Sequence, residues 1–383
     1  MKTSQDRILT THVGSLPRGE AVLALLEARE TGRAADAAFD AAMRDAVAAT
    51  VKRQADLGID VVSDGETSKI SYAAYVKDRL SGFSEEGSTE PPKPHLDMAP
   101  YPDLQRKMAL LTGKRRFKRV TCIGPIAVRD RAPLMRDIAA MKAATAAVRP
   151  ADAFLNAASP GVVASFLPNA YYKSHEAYIE AVAAAMREEY EAIAAAGFNV
   201  QIDCPDLAMS RHTAFQELSE AEFLKRAQFH VELLNHTLVD VPADRIRIHV
   251  CWGNYEGPHV HDIDLSKILK IAFGIKSQAL SLEAANPRHE HEWAVLKAVK
   301  LPDDKILLPG VIDTSTNYVE HPELVAQRIA RFADVVGRER VIASTDCGFG
   351  TSAGYGKLDP QIAYLKLAAL VEGAARASKV LWR

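Results

Sequence analysis

The stretch FDAAMRDAVAATVKRQADLGIDVVSDGE (39–66) decides the architecture. Its first part has the length and Ala-rich composition of a helix. Gly58 stands where a left-handed cap would close that helix. A short, unbroken apolar run follows and exits into Asp64 and Glu66. The same unit recurs at HEAYIEAVAAAMREEYEAIAAAGFNVQIDCPD (175–206) and HPELVAQRIARFADVVGRERVIASTDCG (321–348), with Gly197 and Gly337 at the helix ends. Continuously apolar strands, as opposed to alternating ones, are those of a parallel sheet covered by helices. Further strands are predicted at ILTTHVGS (8–15), DAFLNAASP (152–160), RIRIHVCWG (245–253), SQALSLEAAN (277–286) and ILLPGVIDT (306–314). Eight such strands predict an α/β chain closed as a (β/α)8 (TIM) barrel. No GxGxxG follows the first strand, which argues against a doubly wound open sheet.

A ninth apolar run, KRVTCIGPI (118–126), does not fit that count. It is read as part of an insertion between strands two and three, at about 81–126, in one barrel domain spanning 1–383. The insertion also contains the irregular EPPKPHLDMAPYP (90–102) and the basic run GKRRFKR (113–119). The basic run is expected to be a solvated hairpin; docking of an anionic substrate tail is the alternative.

The chain has 383 residues, with 47 Lys and Arg against 49 Asp and Glu, a net charge of −2. That balance excludes an electrostatically driven nucleic-acid or membrane-surface binder. No apolar run reaches the roughly 20 residues of a membrane span. The start, MKTSQDRILTTHVGS, has no apolar core of a secretion signal, so a cytoplasmic protein is expected. The four cysteines, Cys122, Cys204, Cys251 and Cys347, form no CxxC pair and are expected to be reduced.

Chemistry in such a barrel belongs at the C-terminal strand ends. There the sequence places His12, Gly14 and Ser15; Asp64 and Glu66; Asn156; Asp203 and Asp206; His249 and Cys251; Glu283; Asp313; Asp346 and Cys347. His249 and Cys251 are two apart in a strand and so share a face. Neighbouring strands lie roughly 4.8 Å apart, so His249, Cys251, Glu283 and Cys347 can converge. One imidazole, two thiolates and a carboxylate suit Zn2+ and not Mg2+ or Ca2+. The alternative is that both cysteines are core thiols and His249 a satisfied core histidine.

The motifs THVGSLPR (11–18), DGE (64–66), QIDCPDL (201–207), HVC (249–251), LEAAN (282–286) and TDCG (345–348) together resemble the cobalamin-independent methionine synthase superfamily, in its catalytic C-terminal barrel. The resemblance implies zinc held by His249, Cys251, Glu283 and Cys347. It also implies an amino-acid site at Ser15, Glu66 and Asp203. Backbone N–H groups at Gly14 and Ser15 would take a carboxylate, and the two acids an ammonium. Arg18 is a candidate contact for an anionic group, and Trp252 a wall of the thiol pocket. The implied activity is zinc-dependent transfer of a methyl or alkyl group to a small-molecule thiol: homocysteine methylation from a donor such as methyltetrahydrofolate.

Four departures stand out. The full-length family enzyme carries a second, N-terminal barrel that has no counterpart here. GVIDTST (310–316) puts Ser315 where the family has a proton-donating His two residues after the Asp, leaving Asp313 or His321 as substitutes. No Trp follows the third strand, and Phe166 is the aromatic that remains. Cys204 replaces a family Glu and is read as a packing thiol. Ser315 favours, as the alternative, a related alkyltransferase with a different electrophile or thiol, of the epoxyalkane:coenzyme M transferase or tetrahydrofolate-linked demethylase kind. A non-catalytic zinc protein is the third reading. The pairs His259/His261 and His289/His291 are expected to be surface histidines. Association into a homo-oligomer is an expectation of the fold class only.

Overall fold

In the computed structural model, residues 1–33, 36–85, 95–112 and 120–383 are described. Eight strands follow in chain order: β1 Leu9–Thr10, β2 Val61–Ser63, β3 Asp152–Ala158, β4 Asn199–Asp203, β5 Ile246–Val250, β6 Ala279–Leu282, β7 Ile306–Ile312 and β8 Ile342–Thr345. All pair in parallel, and the spatial order is β1-β8-β7-β6-β5-β4-β3-β2. The Asp60 N–H donates to the Thr10 carbonyl at 3.2 Å, and the Thr11 hydroxyl to the Val61 carbonyl at 3.1 Å. These bonds bring the two edges of the sheet together into a ring. The fold is a (β/α)8 barrel, as the recurring unit predicts.

The helices that surround the ring turn apolar stripes onto it. In Pro322–Val336, for example, Val325, Ile329, Phe332 and Val336 are buried at helical spacing. Gly58, Gly197 and Gly337 all adopt positive φ, at 90°, 94° and 92°, and reverse the chain from helix to strand. The strand interior is less apolar than the strand sequences suggest. Asn156, Gln201, Arg247, His249, Ser281 and Ser344 are all at most 2% exposed. Arg247 donates to Thr11 Oγ1 (3.0 Å) and to the His12 carbonyl (2.9 Å), and its guanidinium lies over the Phe154 ring. It props up the β1 exit loop from within.

The insertion after β2 is present. Phe83–Ser84 pairs antiparallel with Thr121–Cys122, and the helix Pro102–Thr112 lies between them. Over its described residues, 120–126, the ninth apolar run is therefore not a barrel strand. The basic run 113–119 and most of the proline-rich start of the insertion, 90–94, lie outside the described residues. Among the described residues, no helix is long and apolar enough to cross a membrane.

Candidate active site and metal centre

The β1 exit turns sharply at Gly14, whose φ is +136°, and a Cβ there would run into the Asn156 amide. His12 holds the turn: its Nε2 meets Gln54 Oε1 at 2.7 Å, and its Nδ1 accepts the Gly14 N–H at 3.1 Å. Ser15 is buried, and its hydroxyl oxygen accepts the Gly350 N–H at 3.3 Å. Two carboxylates flank this turn. Asp203, at the end of β4, accepts from Asn156 Nδ2 (3.0 Å) and Gln201 Nε2 (2.9 Å). Burial nevertheless pushes its carboxyl up to about 6. Glu66 takes a positive φ of 53°, unusual for a non-glycine residue. Its Oε2 is buried without a hydrogen-bond partner among the described residues. Burial pushes Glu66 up to about 8, against the pull of nearby Lys69. A buried, under-satisfied carboxylate beside a second one is a receptor for a cation that brings its own N–H donors.

On the adjoining side of the rim, β5 presents His249 and Cys251 while Val250 points away into the hydrophobic core. Cys347 follows β8. The Thr345 hydroxyl donates to its carbonyl at 2.8 Å, and Asn254 Nδ2 to the Gly348 carbonyl at 2.7 Å, which ties the β5 and β8 exits together. His249, Cys251 and Cys347 are all buried and offer ligand atoms within 4.8 Å of one another. The two sulfurs are 3.8 Å apart, and both thiols are free. Tetrahedral coordination with metal–sulfur bonds of about 2.3 Å would set them roughly 3.8 Å apart. Neither ring nitrogen of His249 meets a well-formed hydrogen-bond partner among the described residues. Burial drives this imidazole down to about 3, keeping it neutral, the state a ligand requires. A buried imidazole with both nitrogens unsatisfied is costly unless something binds it. The donor set therefore fits a borderline-soft cation.

Glu283 lies at the edge of this trio, not within the 4.8 Å cluster. Its Oε1 accepts the Trp252 N–H (2.8 Å) and its Oε2 accepts from Asn286 Nδ2 (2.9 Å). Burial, and then the neighbouring Cys251, push its carboxyl well up. Asp346 fixes the loop that carries Glu283, accepting from the N–H groups of Ala284, Ala285 and Asn286 at 2.8 Å each.

Other expected site residues have different work. Asp313 accepts from the N–H and hydroxyl of both Ser315 and Thr316, closing its own turn. His321 is exposed and caps the helix Pro322–Val336, its Nδ1 accepting the Glu323 N–H at 3.2 Å. None of the three is aimed at the sulfurs by any of these bonds. Arg18 donates to the Glu66 and Gly350 carbonyls and so supports the two loops of the amino-acid side. Trp252 is fully buried, donates from Nε1 to the Ile263 carbonyl and lies against the His289 ring; it backs the rim and does not line an open pocket. Phe166 is part-buried and meets the part-buried Tyr72 edge-on at 6.1 Å. Cys204 is buried in the core, as expected of a packing thiol.

Two site residues escaped the sequence reading. Lys69 is buried and donates to the Asn156 carbonyl at 2.7 Å, beside Asp64 and Glu66. Tyr72 stands between the two halves of the rim. Burial pushes its phenol up, and Cys251, Asp203, Cys347 and Glu66 all add to the shift. Both residues lie in SKISYAAY (68–75), after the DGE exit, where no spacing marks them. The expectation of surface histidines also fails for two of the four: His289 is 3% exposed and His259 is largely buried, both against Asp262.

The family model described as "Cobalamin-independent synthase, Catalytic domain" matches residues 8–91 and 125–369, its gap falling on the insertion. A methionine synthase of Thermococcus kodakarensis is 26% identical over 367 residues, covering 95% of this chain and 91% of its own length. A 2-hydroxypropyl-CoM lyase of Xanthobacter autotrophicus is 27% identical over 367 residues, covering 88% and 86%. Among solved structures, a B12-independent methionine synthase from a Shewanella species, in complex with selenomethionine, shares the fold. Its TM-score is 0.70 at 20% identity, over 98% of this chain and 99% of that one. With most of its length matched by the family model, this chain belongs to the cobalamin-independent synthase family through its catalytic domain.

Proposed function

We propose that the chain transfers a methyl or alkyl group to a thiol at a zinc ion held by His249, Cys251 and Cys347, with Glu283 as the exchangeable fourth ligand. The observation that carries this reading is the buried meeting, at the barrel mouth, of two free thiols and a neutral imidazole with no well-formed hydrogen-bond partner among the described residues. Bound zinc would hold the substrate sulfur as a nucleophilic thiolate at neutral pH, where a free thiol with a pKa near 8.5 is mostly protonated. The chain's residues do the rest. Glu283 would complete the ligand set, and the Trp252 backbone N–H and Asn286 Nδ2 orient its two oxygens. Glu66 and Asp203 hold the ammonium of an amino-acid thiol, and Ser15 is left to meet its carboxylate, since the Gly14 N–H is taken by His12 Nδ1. Anchoring that end fixes the direction from which sulfur meets carbon, which is catalysis by positioning. Tyr72 and Phe166 shield the space between the two halves from water.

In the methionine-synthase-like form, the thiol is homocysteine and the donor a methyl carrier such as methyltetrahydrofolate. A second reading keeps the zinc thiolate and changes the electrophile or the thiol, as in an epoxyalkane:coenzyme M transferase or a tetrahydrofolate-linked demethylase. It is favoured by the local engagement of Asp313, Ser315 and His321. With those three residues engaged in their own turn and helix cap, a reaction needing little help at the leaving group suits the site better. The similarity to a 2-hydroxypropyl-CoM lyase points the same way.

The test has two parts. Zinc content is measured in wild type and Cys347→Ala; loss of zinc in the variant is expected, and equal zinc in both removes Cys347 from the ligand set. Purified enzyme is then incubated with homocysteine, coenzyme M or glutathione and a methyl donor or an epoxide. Methionine from homocysteine and methyltetrahydrofolate supports the first reading. Its absence, with an alkylated coenzyme M product, selects the second.

A further inference from the structure

Beside the candidate active site lies a second cluster of metal-binding groups that the proposed reaction does not use. It joins Asp97 of the insertion, His212 of the β4 exit, and Asp262 with His259 beyond β5 to His289 beyond β6. Two overlapping trios have ligand atoms within 4.8 Å of one another: His259, Asp262 and His289, and Asp97, His212 and Asp262. Hydrogen bonding separates them. His259 meets Asp262 Oδ2 at 2.9 Å through Nδ1 and the Tyr255 carbonyl at 3.0 Å through Nε2. His289 meets Glu292 at 2.8 Å through Nδ1 and Asp262 Oδ2 at 3.0 Å through Nε2. Every one of these partners is an acceptor, so both rings are doubly protonated and have no lone pair for a metal. Burial opposes those charges, but the hydrogen bonds to Asp262 and Glu292 carry His289 up to about 10.

His212 is the opposite case. Its side chain is 0% exposed, and neither ring nitrogen has a hydrogen-bond partner among the described residues. Its Nδ1 faces Asp262 Oδ1 at 3.4 Å, and that oxygen too has no hydrogen-bond partner among the described residues. The separation is long for a hydrogen bond, and matches the edge of a tetrahedral site with bonds of about 2.0–2.1 Å, roughly 3.3–3.4 Å. Burial holds His212 down to about 4, neutral and able to donate its lone pair. Asp97 is fixed by the N–H groups of Val260 and His261, by the His261 ring and by the Tyr255 hydroxyl. The three carboxylates, Asp97, Asp262 and Glu292, outnumber the two imidazoliums, so the cluster attracts a cation.

We infer that His212, Asp262 and Asp97 form a second divalent-cation site of nitrogen and oxygen ligands only, separate from the thiolate site. His259 and His289 hold Asp262 in place without touching the metal. Because Asp97 belongs to the insertion and the Leu96 N–H donates to the His212 carbonyl at 3.1 Å, the cation would pin the insertion to the barrel rim. His289 lies against the Trp252 ring, tilted by 34°, and the Trp252 backbone N–H holds Glu283, so the site also backs the neighbouring centre.

Metal-free full-length protein is titrated with Co2+, following the thiolate-to-cobalt charge-transfer band and the total cobalt retained after dialysis. Wild type should retain two equivalents, of which one produces the band. His212→Asn and Asp262→Asn should keep the band and retain one equivalent. Cys347→Ser should lose the band and still retain one. A wild type that retains a single equivalent, or variants of His212 and Asp262 that retain two, overturns the inference. A band that survives in the double variant Cys251→Ser with Cys347→Ser, which has no thiolate left at the site, overturns the thiolate reading instead. Should His212→Asn fold poorly, the thermal midpoint decides: added Zn2+ should raise it in Cys347→Ser and leave it unchanged in Cys347→Ser with His212→Gln. Equal rises in the two overturn the inference.

Discussion

Gly14 shows how one backbone position organises chemistry several residues away. Its φ of +136° and the Asn156 amide against its Cα leave no room for a side chain. Asn156 in turn donates to Asp203. Gly14→Ala should destabilise the protein by about 1–3 kcal/mol, read by urea denaturation, and should raise KM for an amine-bearing thiol. Glu66 gives a pH signature. With its ligand-free carboxyl near 8, it is mainly protonated at neutral pH and must ionise to hold an ammonium. Binding therefore releases a proton, and KM should fall as pH rises towards 8, by at most about tenfold per pH unit. Coenzyme M, which has no ammonium, should lack this component, and Glu66→Gln should remove the difference. Identical KM profiles for homocysteine and coenzyme M in wild type would refute the assignment. The parity of His249 and Cys251 is legible in sequence because a strand alternates faces. The positive φ of Glu66 and the burial of Lys69 and Tyr72 are not, because they depend on what folds over the DGE exit.

The strands and their capping glycines could be read directly, since an apolar run after a glycine-ended helix is a local signal. The exits are harder to read, because their residues are divided between chemistry and holding the chain. Asp313 and Ser315 close a turn, and His321 starts a helix. His321→Ala should therefore cost about 0.5–2 kcal/mol in urea denaturation, as loss of an N-cap does, and leave kcat unchanged. A collapse of kcat with stability intact would return His321 to the reaction. The histidine pairs were misjudged for a related reason. Their polar surroundings in GPHVHD (257–262) and PRHEHE (287–292) suggest exposed loops, but distant segments close over them: Asp97 of the insertion takes the Val260 and His261 N–H groups, and His289 meets Asp262.

Across the whole molecule, the ring of strands brings chemistry from β1, β2, β4, β5, β6 and β8 to one rim, which no single segment reveals. Eight units foretold the barrel, and the resemblance carried by the motifs implied the meeting of the β5 and β8 exits at which His249, Cys251 and Cys347 lie together. The sequence could not foretell that Glu283 would sit beside the sulfur–imidazole trio with both oxygens engaged, a matter of side-chain packing. Prolonged chelation should abolish transferase activity, and Zn2+ should restore it, measured as product from the preferred thiol. The most direct measurement is zinc X-ray absorption on the His212→Asn protein, which isolates the thiolate site. Two sulfur neighbours should be seen without substrate, and a third when the thiol substrate is added. A zinc shell without sulfur, or one still at two sulfurs with saturating thiol, would contradict the account.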